Sequence, residues 1–212
     1  MLTQLTLRPA PRAARAALAA RSLCTTTPRA SPSANRDPIP PPIQYDPAFD
    51  ASRAAGHKWF DENGYGGVGR IEWPVQWGDS DMFQHTNNVS YVRYLESARV
   101  RFALTLAPEL GQETAENWMY GRGTGWILKE QTIRYRRPVT YPDSLIWAPK
   151  ITALDQARAS FTLSHAAWSV KENAVAVTAD SFAVMYDFDK LKKGVMSDRI
   201  REVLEKVGVQ EA

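Results

Sequence analysis

The spacing of apolar and polar residues changes several times along the chain, and each change marks an element. Tyr91, Leu95, Ala98, Phe102 and Leu106 recur at three- or four-residue intervals, which predicts an amphipathic helix over 89–106. Asn87 or Asn88 caps its start, and Pro108 and Gly111 stop it. Before it, 68–77 alternates well enough for a strand with Val75 and Trp77 on one side, although Pro74 favours an edge or an interruption over a regular central strand. After it come four strand-like segments: 126–137, 144–153, 157–170 and 174–187. Ile133 shares a phase with Tyr135, and Phe161 shares one with Leu163. In the last of these segments Val175, Val177 and Ala179 alternate with Ala174, Ala176 and Thr178, small and β-branched positions suited to close packing. Residues 195–207 read as a terminal helix capped by Ser197 or Asp198. Residues 48–62 read as a short helix with Phe49, Trp59 and Phe60 as docking points. One long apolar helix face beside a run of antiparallel strands predicts an α+β layer.

Composition then separates a leader from the body. Residues 1–36 hold six arginines (Arg8, Arg12, Arg15, Arg21, Arg29 and Arg36) and no acidic residue, with alanines and leucines between them. This pattern predicts a mitochondrial presequence, with a cut near Leu23 to Thr27. No apolar run is long enough for a membrane span or a secretory signal. The whole chain has 26 basic and 23 acidic residues, so without the leader 20 basic residues face 23 acidic ones. The basic character belongs to the leader, and the body does not read as a nucleic-acid binder. The only cysteine, Cys24, lies in the leader, which leaves the body without a disulfide framework, a thiolate nucleophile or a cysteine metal site.

The expected organisation is a leader over 1–36, a Pro/Gly-rich extension over 37–67, a main domain over 68–190, and a C-terminal helix and tail over 191–212. Pro38, Pro40, Pro41 and Pro42 favour an extended linker, and the glycines of 63–69 break the chain before the first strand. That glycine run lacks the lysine, hydroxyl and helix context of a phosphate-binding loop.

The stretch WGDSDMFQHTNNVSYVRYLESAR, 77–99, concentrates the candidate chemistry. Asp79, Asp81, His85, Asn87 and Asn88 fall at the junction between a loop and the predicted helix. A carboxylate there could accept a proton from water or attack an electrophilic carbon. The N–H groups at the helix start could stabilise the resulting oxyanion. Other chemistries lack support: no GxSxG elbow, HExxH pair or cysteine cluster occurs, and His57, His85 and His165 are the only histidines. No metal is expected.

The chain resembles the hotdog-fold acyl-CoA thioesterases, specifically the 4-hydroxybenzoyl-CoA thioesterase-like group. The resemblance rests on Trp77, Asp79, Asp81, His85, Asn87, Asn88, Tyr91, Tyr94, Glu96, Ala98 and Arg99. It rests also on IRYRRPVTYPDSL over 133–145 and on the final long strand ending near Tyr186. It covers roughly 68–190. It implies an antiparallel sheet wrapped around a long central helix, and a homodimer or dimer-based tetramer with sites near the subunit boundary. It assigns the carboxylate role to Asp81 and the oxyanion role to backbone N–H groups near His85 to Asn88. Asn87 and Asn88 become positioning groups, with Asn88 standing where some relatives carry histidine. It requires no cofactor.

Arg134, Arg136 and Arg137 are candidates for a CoA phosphate, Arg134 and Arg136 being the better pair because alternation puts them on one strand face; Trp126, like Trp118, is a candidate for an acyl pocket. The expected substrate is an acyl-CoA or acyl-carrier-protein thioester in the mitochondrial matrix. Two alternatives accompany this reading: a non-catalytic hotdog subunit of a mitochondrial complex, and a noncovalent acyl-CoA binding module.

Overall fold

The computed structural model describes residues 43–208. The predicted presequence, most of the proline-rich linker and the last four residues of the tail lie outside the described residues. The helices are α1 (Asp50–Glu62), α2 (Asn88–Thr105), α3 (Ala107–Leu110), α4 (Gln112–Tyr120) and α5 (Asp198–Gly208). The strands are β1 (Ile71–Pro74), β2 (Thr124–Tyr135), β3 (Ser144–Asp155), β4 (Ser160–Ser169), β5 (Ala174–Asp187) and β6 (Lys192–Lys193). They form one antiparallel sheet in the order β1-β3-β4-β5-β2, with β6 pairing the end of β5.

The sheet curls around α2, giving the α+β layer that the helix phase and strand run predict and the hotdog arrangement that the resemblance implies. Tyr91, Tyr94, Leu95 and Ala98 bury against Leu145, Trp147, Ala167, Val177 and Ala179. One and two turns further on, Phe102 and Leu106 join Ile151, Phe161, Leu163, Met185 and the α5 residues Ile200, Val203 and Leu204. Between these apolar groups runs a polar layer. Arg99 donates from Nη1 to Gln131 Oε1 at 2.7 Å, while His165 and Ser181 are fully buried on β4 and β5. Burial and the Arg99 charge lower the His165 pKa to about 3, so its ring is neutral in the folded protein.

The opposite sheet face is covered too. α1 places Phe60 and Trp59, with Tyr65 just beyond it, on Ile146, Ala148, Ala166 and Trp168. The helix approaches closely at Gly56, where a Cβ would stand 2.8 Å from Trp168 Cδ1. With α1 on one face and α2 on the other, β4 is buried along nearly its whole length.

Several predicted boundaries move. The strand expected over 68–77 is only Ile71–Pro74; it lies on the sheet edge and stops at Pro74, so both outcomes that the proline favours occur. Val75 is buried, but Trp77 sits in a 3-10 turn and is 78% exposed, so the two do not share a face. The Gln76 N–H turns onto the Asp79 carboxylate at 2.9 Å, and this local bond ends the extended run. The strand expected to begin at 157 begins at Ser160, because Asp155 caps a turn by accepting from the Arg158 N–H at 2.8 Å. Ser197 caps α5 by accepting from the Ile200 N–H at 3.3 Å. Helix α4 was not among the predicted elements. Its signal is short: Ala115 and Trp118 on one side, with Gly111 and Gly121 at the ends.

Candidate active site

The loop before α2 is held by its own polar residues. Asp81 N–H donates to the His85 carbonyl at 3.1 Å, and Asn87 N–H to the Asp79 carbonyl at 2.8 Å, pairing the two arms of a small hairpin. Gln84 closes it with a φ of 63°, in the left-handed region that a non-glycine residue seldom adopts. A third backbone bond, Thr86 N–H to the Val139 carbonyl at 2.7 Å, fastens the loop to the segment preceding β3.

Within this frame the two acids divide. Asp79 accepts from the Gln76 N–H at 2.9 Å and from the Tyr94 hydroxyl, one turn and a half into α2. Burial and this contact with Asp79 both push the Tyr94 pKa up, so the phenol keeps its proton and acts as the donor. Asp79 is therefore an anchor between loop and helix. Asp81 is half-buried, with Oδ1 accepting from the Phe83 N–H at 2.8 Å and Oδ2 from Asn87 Nδ2 at 3.3 Å. Each oxygen retains a lone pair for other partners.

Asn87 is the N-cap of α2. Its Oδ1 accepts from the Val89 N–H at 2.9 Å while its amide nitrogen reaches Asp81, so one side chain ties the carboxylate to the positive end of the helix. The Ser90 N–H is taken by the Asn87 carbonyl at 2.9 Å. With Thr86, Asn87, Val89 and Ser90 all committed, the N–H groups of His85 and Asn88 are the ones in this stretch without an acceptor among the described residues.

His85 Nδ1 lies 3.1 Å from the Phe83 carbonyl. A carbonyl only accepts, so Nδ1 carries a proton and donates, and Nε2 makes no bond among the described residues. Beside His85 a cavity of about 190 Å³ opens between Asn88, Tyr91, Tyr135, Arg136 and Arg137. Tyr135 donates its hydroxyl to the Asn88 carbonyl at 3.2 Å and meets the Tyr91 ring edge-on at 5.3 Å. Burial raises the Tyr91 pKa to about 12. Asp81 is joined to this cavity through Asn87 and does not itself line it.

The candidate residues on β2 separate. Arg134 and Arg136 share a face, as alternation predicts, and that face lies away from α2. Arg134 pairs with Asp180 at 2.7 Å, and Arg136 Nε donates to Thr178 Oγ1 at 3.2 Å. Burial opposes ionisation of Asp180, but the bonds from Ser164 and Arg134 prevail and hold its pKa below the usual carboxylate value. Arg136 reaches the cavity beside His85; Arg134 does not line it. Trp126 stands near the other end of β2, roughly 30 Å along the strand from Tyr135 at ~3.4 Å per residue. There it packs edge-on against Phe161 at 5.6 Å and Trp118 at 6.5 Å. The structure brings Asp81, His85, Asn87, Asn88 and Arg136 to one region and leaves Trp126 elsewhere in the chain. Tyr135 is missing from the expected site, and Arg137 is ranked there below Arg134 and Arg136. The signal for them was their place in IRYRRP, where β2 runs past the start of α2.

A curled antiparallel sheet around a central helix, with an acid-bearing loop at the helix start, defines a hotdog protein of the thioesterase type. The chain belongs to the thioesterase-like superfamily, whose family model matches residues 75–204. The probable thioesterase YbaW from Escherichia coli is similar in structure, with 25% identity and a TM-score of 0.52 over 65% of this chain and 97% of that one. The PA2801 protein from Pseudomonas aeruginosa is 24% identical with a TM-score of 0.53, over 64% of this chain and 96% of that one. A thioesterase from Thermus thermophilus, solved with coenzyme A and Zn, is 20% identical with a TM-score of 0.53, over 65% and 92% of the two chains. A comparison with curated proteins finds no match. Among the described residues, no helix is long and apolar enough to cross a membrane.

Proposed function

We propose that this protein hydrolyses an acyl-CoA or acyl-carrier-protein thioester to the free acid and thiol. The observation that carries the proposal is the Asn87 bridge, which holds the Asp81 carboxylate at the N-terminus of α2 beside a cavity. A thioester carbonyl pointed at the open Asn88 N–H would develop its negative charge against a fixed donor and the helix dipole. Asp81 then acts in one of two ways. It removes a proton from the attacking water, or its oxygen adds to the carbonyl carbon, the C–S bond breaks, and water cleaves the resulting anhydride. Either route ends in a carboxylate and a thiol. His85, with Nε2 open, can orient the water.

The same reading includes a homodimer, alone or as half of a tetramer. β2 is an edge strand of twelve residues, and Val92, Val100 and Leu104 are exposed on α2. An unpaired edge of this length is relieved by antiparallel pairing with a second copy. Such pairing would carry Trp126 of one subunit toward the Asp81 loop of the other. The arginine-rich leader supports a mitochondrial matrix location.

Thiol release should be measured over short, medium, long and aromatic acyl-CoA substrates for wild type, Asp81→Asn and Asp81→Ala. Turnover that both substitutions abolish, with assembly intact, is the expected result. Wild-type rates in both would remove Asp81 from the mechanism. Absence of turnover together with a stable stoichiometric partner would instead mark a non-catalytic subunit of a mitochondrial complex. Saturable binding without release would mark an acyl-CoA binding module.

A further inference from the structure

We propose that the cavity between α1 and the outer face of the sheet holds the phosphorylated adenosine end of a CoA molecule whose acyl end lies beside His85 and Asn88. This inference rests on the CoA-thioester reading above and assigns that substrate a second contact region. The cavity measures about 580 Å³, within the range of roughly 300–1,000 Å³ usual for small-molecule sites. Arg136, Arg137 and Lys150 line it, and no carboxylate does. The neighbouring acid, Asp180, is already paired with Arg134. The wall therefore favours an anion.

The three cations are differently committed. Lys150 donates to the Asn63 carbonyl at 2.9 Å and stands 4.4 Å from the Tyr65 ring centroid, which fixes its position while leaving other protons free. Arg136 uses Nε on Thr178, so its terminal nitrogens stay open. Arg137 is exposed and makes no ion pair or side-chain hydrogen bond among the described residues. Guanidinium groups in this state suit phosphate oxygens.

Aromatic residues supply the rest of the wall. Trp59 is half-buried, stacked on Tyr65 at 5.7 Å and tilted against Trp168 at 6.3 Å. The exposed amides of Asn63 and Asn173 offer both donors and acceptors beside these rings. A planar base carrying phosphates matches this combination better than inorganic phosphate does. What selects CoA over a free nucleotide is continuity, because Arg136 and Arg137 line both this cavity and the smaller one at His85. A ligand with a phosphorylated nucleoside at one end and a thioester at the other can occupy both at once. Trp59, Asn63 and Tyr65 precede residue 75, where the family match begins, so this wall is an addition to the shared fold.

The full chain should be titrated calorimetrically with CoA, with adenosine bisphosphate and with pantetheine, using wild type, Arg137→Glu and Trp59→Ala. In parallel, kcat/KM is measured for one acyl group carried on CoA and on pantetheine. Each substitution should weaken CoA binding about tenfold. Each should also lower the CoA-to-pantetheine ratio of kcat/KM by a similar factor, and adenosine bisphosphate should compete with CoA. Arg137 is exposed, so Arg137→Glu keeps the test decisive even if Trp59→Ala fails to fold. Unchanged CoA binding in Arg137→Glu would overturn the assignment and leave the hydrolytic reading intact. Adenosine bisphosphate that binds without displacing CoA would also overturn it, pointing to a free nucleotide. Arg137-dependent CoA binding without turnover would support the cavity while removing hydrolysis.

Discussion

Asn87 Nδ2 donates to Asp81 Oδ2 at 3.3 Å while Asn87 Oδ1 caps the first turn of α2 at 2.9 Å. A single amide therefore serves two ends. Its oxygen stabilises the helix, and its nitrogen aims the carboxylate.

The two functions are separable by substitution. Asn87→Ala loses both and should cost about 1 kcal/mol of stability, typical of a lost N-cap. Asn87→Ser keeps an oxygen for the cap, but its one hydroxyl sits on that same short side chain and lacks the amide nitrogen that reaches Asp81. It should recover most of the melting temperature without recovering thioester turnover. Thermal melts and thiol-release rates on the same preparations check this. Full activity in Asn87→Ser would show that the Asp81 contact is dispensable.

His165 gives the fold an acid sensitivity. Its folded pKa of about 3 lies below its ordinary value of 6.5, so between those values the unfolded chain binds the extra proton. Stability from the neutral ring is complete above pH 6.5 and declines as pH falls toward 3. The loss from this group at pH 5 is on the order of 2 kcal/mol. His165→Leu should flatten the melting-temperature profile between pH 7 and 5, whatever it does to stability at pH 7. Parallel profiles for the two proteins would contradict the assignment.

Gly56 tests the docking of α1. Replacing an interior helix glycine by alanine ordinarily stabilises by roughly 1 kcal/mol. Here the new Cβ would meet Trp168 Cδ1 at 2.8 Å, an overpacking that costs ~1–3 kcal/mol. Gly56→Ala should therefore lower the melting temperature, and by displacing Trp168 it should weaken CoA binding. A rise in melting temperature would mean that α1 does not sit against Trp168.

Local pattern made much of this protein legible. The repeat Tyr91, Leu95, Ala98, Phe102 defines the buried stripe of α2 because a helix face returns every three or four residues. The cap falls at Asn87, one of the two adjacent asparagines that the sequence offers, since capping needs only neighbours in the chain. The edge position of β1 follows from Pro74, which cannot donate to a ladder. The Asp81–His85–Asn87–Asn88 group is compact because its residues are close in sequence and share a hairpin.

Tertiary structure decided what depends on distant partners. Asp79 is an anchor because Tyr94 arrives from inside α2, and Trp77 faces outward because Gln76 and Asp79 form a turn where alternation predicted a strand. Arg134, favoured for a phosphate by alternation, is paired with Asp180, while Arg137, which alternation disfavours, stands open between two cavities. The cavity over α1 needs that helix laid across β3 and β4, with Gly56 against Trp168. Short-range spacing sets periodicity and caps. Which faces then meet is chosen by the burial of apolar surface and the pairing of charges across the whole chain, and those energies belong to no single segment.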